Sequence, residues 1–203
     1  MFEYKSLSEL TREYGAQDFP SPTRIFAELN RAQSEFFKQQ MRDKTSAIYE
    51  AVQRGRKAHR ALETDTGRDV FERAVLRKFK RDIGVDIDET WGREQGLISV
   101  KKRFKGKFDG VGVFRGLGTV WDYKKVNRPK TESGIKNYFK QCAAYAIAHD
   151  EMYGTEIEQL AVMLIHGKDA KELGTQVFTF AGAELKQAKR EFLADRKRYA
   201  KLD

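Results

Sequence analysis

The segment Gly106–Lys125, GKFDGVGVFRGLGTVWDYKK, indicates which fold this chain adopts. Apolar and other residues alternate in both halves of the segment, which is the pattern of β-strands with one buried face. Gly116 and Gly118 separate the two halves and predict a tight turn. We therefore expect two neighbouring strands, from about Gly106 to Arg115 and from about Thr119 to Val126, paired as a hairpin.

Two acidic residues and one lysine lie on these predicted strands. Asp109 is on the first strand, and Asp122 and Lys124 are two residues apart on the second, so their side chains share one face. Two carboxylates can hold Mg²⁺ or Mn²⁺ through oxygen ligands. The lysine can orient or deprotonate a water molecule and offset charge on a phosphate. The three residues outline a phosphodiester-cleaving site, although charged residues beside a turn are also common as solvated groups.

Two helical patterns accompany the hairpin. Gly55, His59 and Glu63 are spaced by four residues and lie along one flank of a helix. A neutral imidazole beside carboxylates is a common ligand of divalent ions. Gln141 and Tyr145 are one turn apart on a later helix. Taken alone, a surface histidine on a basic helix and an amide–phenol pair are both typical of ordinary surface or boundary positions.

The order of these motifs is more specific than any one of them. The patterns G-x-x-x-H-x-x-x-E, G-x-x-D, D-x-K and Q-x-x-x-Y follow one another between residues 55 and 145. In this order they resemble the RecB-type branch of the PD-(D/E)XK nuclease superfamily, in particular the small exonucleases related to mitochondrial genome maintenance exonuclease and to phage-encoded counterparts. The resemblance implies an α/β (α+β) fold with a restriction-endonuclease-like core. In this core a central mixed β-sheet is flanked by helices, with helical N-terminal and C-terminal additions.

The resemblance also implies roles for individual residues. His59, Asp109, Asp122 and the backbone carbonyl of Tyr123 would hold one or two Mg²⁺ or Mn²⁺ ions, and Asp109, Asp122 and Lys124 would be catalytic. Residues implied to support the site or touch nucleic acid are Glu63, Gln141, Tyr145, Lys125, Arg128 and Lys107. Glu63 and Glu94 match acidic positions of the branch but are expected outside the ligand set.

Two departures from the family pattern concern a lysine and the cysteines. Many relatives carry Thr or Ser directly after the catalytic lysine, where this chain has Lys125. Several relatives hold an iron–sulfur cluster on four cysteines, and the single Cys142 cannot build one. We therefore expect altered local contacts beside the lysine and no iron–sulfur cluster.

Charge favours a polyanionic partner. The formal net charge is +9 and the sequence pI is about 9.5. Basic residues concentrate on both sides of the acids: Lys101, Lys102, Arg103, Lys105 and Lys107 precede Asp109, and Lys124, Lys125, Arg128 and Lys130 follow it. A charged edge strand would show the same pattern, but we favour a track of phosphate contacts. DNA, as single strands or free ends, is the expected partner.

Length and cysteine content bound the organisation. A chain of 203 residues predicts one nuclease domain, with a helical part over about 1–84, a catalytic β-core over about 85–180 and a C-terminal helix over about 181–203. One cysteine suits a reducing compartment, and the first residues show neither a long apolar run nor a transit-peptide pattern. We expect a monomer with no membrane association, located in the cytoplasm of a bacterium or phage-infected host rather than in the mitochondrial matrix.

The remaining elements follow from periodicity and caps. Ser21 and Pro22 predict a helix start, with Ile25, Phe26, Leu29, Phe36 and Phe37 in the core. Further helices are expected over 44–63, from Asp69 to about Gly84, over 133–153, and from Ala183 onward, the last with a solvated face. Further strands are expected over 92–100, 157–165 and 177–180.

These observations favour a divalent-metal-dependent DNA exonuclease that acts on single-stranded DNA or free ends in replication, recombination, repair or degradation. A structure-specific endonuclease could share every motif. A non-catalytic nucleic-acid-binding module and a basic interaction protein with chance motifs are two further interpretations. Aromatic residues that could stack on bases are Phe19, Phe36, Phe37, Tyr49 and Trp91, although core positions are the more common role for such residues.

Overall fold

The central element is a five-stranded mixed sheet. The computed structural model describes residues 2–202. The strands are β1 Ile87–Arg93, β2 Gly96–Ser99, β3 Phe104–Lys107, β4 Gly110–Phe114, β5 Leu117–Val126, β6 Gln159–His166 and β7 Gly174–Ala181. The large sheet has the order β1-β4-β5-β6-β7, with β5 and β6 parallel and the other neighbours antiparallel. Strands β2 and β3 form a separate antiparallel pair.

Helices surround this sheet on both sides. They are α1 Leu7–Glu13, α2 Pro22–Leu29, α3 Arg31–Arg42, α4 Ala47–Thr64, α5 Val70–Asp82, α6 Lys136–Tyr153 and α7 Gly182–Tyr199, with short 3₁₀ turns at Gly84–Asp86 and Glu132–Ile135. Helix α6 is the crossover between the parallel strands β5 and β6. The predicted α/β class, a central mixed sheet flanked by helices, is therefore confirmed. The expectation that the chain forms a single domain, with the boundaries given above, stays a prediction.

The β4–β5 hairpin is closed by a two-residue turn. Arg115 and Gly116 have φ of 53° and 79°, and Phe114 pairs with Leu117. Positive φ at both turn positions matches the right-handed twist of the flanking strands. The prediction that Gly118 belongs to the turn is wrong, because Gly118 lies within β5 and pairs with Val113.

Two predicted strands are each divided in the structure. The predicted strand 92–100 breaks at Glu94, which has φ of 53° and separates β1 from β2. The predicted strand 106–115 breaks at Phe108 and Asp109, where the chain leaves the small sheet and joins the large one. The crossing is held by backbone hydrogen bonds from Phe108 to Gln95 (3.2 Å) and from Glu94 to Asp109 (3.3 Å). Asp109 therefore lies between strands and not on one.

Alternation along β5 distributes its side chains to two cores. Trp121 and Tyr123 pack with residues of α4 and α5, whereas Val120 packs with residues of α6. Asp122 and Lys124 continue the alternation of Val120 and point to the α6 side. An acidic side chain and a lysine are thus placed beside the apolar residues that pack with α6.

The helix predictions hold with local exceptions. Ser21 caps α2 with Pro22 at its first turn, as predicted, and Ile25 is buried. Phe36 and Phe37 were expected in the core, but 57% and 45% of their surfaces are exposed. The apolar pattern does not continue across Asn30, where α2 ends and α3 begins.

Helix α7 is only partly solvated, since it buries Leu185, Ala188, Phe192 and Tyr199. Its polar residues still face outward over much of its length. Within residues 2–202, the helices are too short or too polar to cross a membrane.

Candidate metal centre and nucleic-acid groove

Two buried aspartates, Asp109 just before β4 and Asp122 on β5, form the centre of the candidate site. Asp122 on β5 is fully buried, and Asp109 is 8% exposed. The Oδ2 atom of Asp109 accepts a hydrogen bond from the backbone N–H of Tyr123 at 2.8 Å. This bond ties the segment before β4 to the strand that carries Asp122, so the two carboxylates share one site.

Lys124 is the cationic partner of Asp122. Its Nζ lies 2.6 Å from Oδ1 of Asp122, as the two-residue spacing on one strand predicted. The ring of Tyr138 lies 5.5 Å from the same Nζ. The other oxygen of Asp122, Oδ2, is buried and has no hydrogen-bond partner among the described residues. An anionic oxygen without a partner in the protein interior is costly unless a cation completes its environment.

Burial sets the protonation behaviour of these groups. Burial and the neighbouring charge of Asp122 raise the pKa of Asp109 to about 7. Burial also raises the pKa of Asp122, although Lys124 opposes this shift. Burial would lower the pKa of Lys124, but the charges of Asp122 and Asp109 outweigh it and raise that pKa. Lys124 is consequently an ammonium group at neutral pH.

His59 reaches the aspartates from helix α4. Its Nδ1 lies 3.8 Å from Oδ2 of Asp109, and its Nε2 lies 2.7 Å from Oε1 of Glu94. The contact with Glu94 is the main cause that raises the pKa of His59. The four-residue spacing places Glu63 on the same flank, so that atoms of His59, Glu63 and Glu94 lie within 4.8 Å of one another.

Glu94 has a larger part in the centre than its sequence position indicated. Burial would raise its pKa, but the contacts with His59 and Lys107 outweigh this and lower it. Lys107 Nζ lies 2.6 Å from Glu94 Oε2 and 3.4 Å from Glu63 Oε1. Glu94 reaches His59 from the break between β1 and β2, and a sequence pattern that assumed one continuous strand there could not indicate this position.

A groove of about 1010 Å³ opens beside the centre. Its cationic lining residues are Arg56, Arg60, Lys124, Lys125, Arg128, Lys130 and Lys168. Its apolar lining comes from α3, the first half of α4 and the end of β5: Phe37, Ala47, Ile48, Ala51, Val52 and Val126. His59 and Glu63 also line it. The predicted basic run after Asp122 therefore lies along this groove.

The predicted basic run before Asp109 is placed differently. Lys105 donates hydrogen bonds to the carbonyl oxygens of Ala16 and Gln17, and Arg103 lies over the ring of Phe19. These contacts hold the N-terminal segment and are not part of the groove. Of this run, Lys107 contacts the acidic residues of the centre. Arg103 and Lys105 therefore do not line the groove, and phosphate contact by the run before Lys107 stays a prediction.

Three further predicted residues have specific contacts. Lys125 donates to the carbonyl oxygens of Val126 and Gly167, so its ammonium group joins the end of β5 to the loop after β6. Burial and the charge of Arg54 lower its pKa to about 8. Gln141 donates to the hydroxyl of Tyr145 at 3.1 Å.

The phenol of Tyr145 packs closely against Gly106 of the G-x-x-D motif. A Cβ atom at Gly106 would lie 2.6 Å from the Tyr145 ring, so only glycine fits there. Tyr145 is itself 4% exposed. The pair explains why a glycine precedes Asp109 by three residues.

The donor set suits a hard divalent cation. Carboxylate oxygens of Asp109 and Asp122, the carbonyl of Tyr123 and a ring nitrogen of His59 are the ligand types that Mg²⁺ and Mn²⁺ accept. An ion of this kind would satisfy the Oδ2 of Asp122, which has no hydrogen-bond partner among the described residues. Cys142 is the only cysteine of the chain, so the residues do not suit an iron–sulfur cluster.

No protein-family model and no curated protein matches this chain. Among solved structures, a candidate exonuclease from Eubacterium rectale has a TM-score of 0.46 at 12% identity, covering 99% of this chain and 69% of that one. The protein SSO0001 has a TM-score of 0.42 at 16% identity, covering 91% and 73%. A phage-related exonuclease from Haemophilus somnus 129PT has a TM-score of 0.36 at 11% identity, covering 76% and 81%. Likeness at this level is partial and assigns no function to this chain.

Proposed function

We propose that this protein is a divalent-metal-dependent DNA exonuclease of the RecB-type PD-(D/E)XK branch. The observation that carries the proposal is the fully buried Asp122, which has Lys124 on one oxygen and no partner among the described residues on the other. A buried carboxylate in this state is suited to a cation. The adjoining groove supplies cations for a polyanion.

In the proposed site each residue has a separate task. Asp109, Asp122, the Tyr123 carbonyl and His59 would hold the ion. A bound Mg²⁺ or Mn²⁺ would supply Lewis acidity toward the scissile phosphate and its attacking water. Lys124, held in its protonated form by the aspartates, stabilises negative charge that develops on the phosphate. We therefore favour charge stabilisation by Lys124 over proton abstraction.

The lining of the groove favours a single strand as substrate. Phosphates of either a single strand or a duplex can contact the cations that line the groove. The apolar lining around Phe37 can stack on bases only where their faces are exposed. Base faces are exposed in a single strand and covered by neighbouring bases in a duplex. Phe37 is 45% exposed and is therefore available for stacking.

Supporting roles are proposed for the remaining groove residues. Arg128 and Lys130 would contact phosphates, while Gln141 and Tyr145 fix the backbone before Asp109. Lys125 would act mainly by joining β5 to the loop after β6. We further propose a monomer that acts in the cytoplasm of a bacterium or phage-infected host, in DNA replication, recombination, repair or degradation.

The test is digestion of end-labelled linear single-stranded DNA, beside the same strand as a closed circle and as a linear duplex. With Mg²⁺ or Mn²⁺ we expect loss of the linear single strand alone. Cleavage of the circle would instead assign an endonuclease. Binding of all three without cleavage at any metal concentration would assign a non-catalytic module.

Two variants, each with a matched control, test whether cleavage and single-strand binding depend on the proposed residues. Lys124→Ala should abolish cleavage, whereas Lys186→Ala, which removes an exposed lysine of α7, should not. Phe37→Ala should weaken single-strand binding by about tenfold, the order expected for one stacked base. Phe36→Ala, which alters the exposed neighbour outside the groove lining, is the control. Full cleavage by Lys124→Ala would contradict the proposal.

A further inference from the structure

The ammonium group of Lys107 lies among the acidic side chains of the centre. Lys107 is the last residue of β3 and faces Glu94 and Glu63 at 2.6 Å and 3.4 Å. Those two glutamates and His59 form the three-residue group whose spacing could hold an ion. The group that could bind a second metal therefore already contains a positive charge.

Both carboxylate oxygens of Glu94 have a side-chain nitrogen nearby, although the contact of Oε1 is an ion-pair distance without hydrogen-bond geometry. Oε1 lies 2.7 Å from Nε2 of His59, and Oε2 lies 2.6 Å from Lys107 Nζ. A carboxylate at this distance favours a proton on Nε2, which leaves Nδ1 facing Asp109. Glu94 is thus a positioning residue for His59, and Lys107 fixes Glu94 in that role.

The charge of the centre points to the same conclusion. Four carboxylates belong to it, namely Glu63, Glu94, Asp109 and Asp122, and two ammonium groups pair with them, those of Lys107 and Lys124. Metal binding favours ionised carboxylates and a neutral imidazole, and in that state two negative charges remain. One divalent ion balances them, whereas a second ion would leave these described groups with a net positive charge.

We propose that the Lys107 ammonium group takes the position of a second cation, so that the centre binds one divalent ion at Asp109 and Asp122 and not a pair. This inference rests on the proposed function, because it concerns the metal stoichiometry of the same site. It assigns Lys107 to the site itself and not to a phosphate track.

The test is a Mn²⁺ titration of the metal-free protein without nucleic acid, with free Mn²⁺ followed by electron paramagnetic resonance. The wild type should bind about one ion per chain, and Lys107→Met, which keeps the side-chain length without the charge, about two. Lys102→Met is the control, because it makes the same charge change at an exposed lysine. It should bind about one Mn²⁺ ion per chain. The double variant with Glu94→Gln and Lys107→Met should again bind about one Mn²⁺ ion per chain. Circular dichroism melts confirm that each variant is folded.

Two results would overturn the inference: a wild type that binds two ions, or a folded Lys107→Met protein that still binds one at saturation. Either can occur while metal-dependent cleavage by the wild type is intact, so the proposed function would stand. Failure of the proposed function has a different signature. The wild type would then bind no Mn²⁺ and would cleave none of the DNA substrates.

Discussion

Asp122 and His149 are both polar side chains with no exposed surface, but their environments differ in one respect. His149 on α6 has partners on both ring nitrogens: Tyr4 Oη at 2.9 Å from Nε2 and Thr155 Oγ1 at 2.8 Å from Nδ1. The Thr155 hydroxyl donates onward to Asp150, so His149 Nδ1–H is the donor to Thr155 and Nε2 accepts from Tyr4. Asp122 has a partner on one oxygen alone among residues 2–202.

The difference separates a fully hydrogen-bonded polar group from one that a bound ligand could still satisfy. The neutral imidazole of His149 is fully satisfied, and burial lowers its pKa to about 4, so it stays uncharged at neutral pH. It packs among aromatic rings of the N-terminal segment and α6. The Oδ2 atom of Asp122, in contrast, has no hydrogen-bond partner among residues 2–202. Burial by itself therefore does not distinguish the two residues, whereas the hydrogen-bond partners of their polar atoms do.

The largest expected effect is on catalysis, from Asp122→Asn. Removal of the proposed ligand should lower the cleavage rate by about a thousandfold, on the order of 4 kcal/mol of barrier. The melting temperature should change little, because the lost pairing with Lys124 opposes the gain from removing a buried charge. Asp195→Asn is the matched control, since Asp195 is likewise a buried aspartate paired with a lysine, at 2.5 Å from Lys140. Equal activity in both variants would mean that Asp122 is no more than another buried, lysine-paired aspartate.

The next effect is on stability, from His149→Ala. The change leaves the hydroxyls of Tyr4 and Thr155 without their partner and opens a cavity, which should cost about 3 kcal/mol of unfolding free energy. Cleavage measured well below the melting temperature should be unchanged. His149→Phe fills the volume and should recover part of the loss. Chemical denaturation measures the first quantity, and loss of cleavage in a folded variant would show that His149 is not purely structural.

The smallest effect concerns pH. Asp109 has a folded pKa of about 7, above its ordinary value of 3.8, so its contribution to stability is full below pH 3.8 and is lost as pH rises through 7. We expect the metal-free protein to lose about 2 kcal/mol from this group between pH 5 and 8. Mg²⁺ should reverse the loss above pH 7, where the carboxylate is free to bind it.

The contribution of His149 has the opposite sign. Its folded pKa of about 4 lies below the ordinary value of 6.5, so its contribution rises as pH increases between these values. Asp109→Asn should therefore flatten the decline toward pH 8, while His149→Phe should flatten the rise toward pH 6.5. Melting curves of both variants across this range, without metal, separate the two groups. A decline that persists in Asp109→Asn would mean that another group causes it.

Sequence patterns located most elements because the signals are local. The cap at Ser21 and Pro22, the helix that carries His59 and the strand that carries Asp122 all follow from neighbouring residues. Errors arose where the backbone departs from a regular period. The chain breaks its strand at Glu94 and passes between two sheets at Asp109. Neither position belongs to a periodic sequence pattern, so neither could be predicted from periodicity.

The sequence by itself determined the chemical types in the candidate site and the spacing of Asp122 with Lys124 and of His59 with Glu63. Those spacings follow from the fixed repeats of strand and helix. Only the tertiary structure decided that Asp109 reaches Tyr123 and that the oxygens of Glu94 are divided between His59 and Lys107. Only it decided that one oxygen of Asp122 is buried without a partner among the described residues. These features depend on contacts between segments distant in sequence, whose register and burial are set by packing and not by local periodicity.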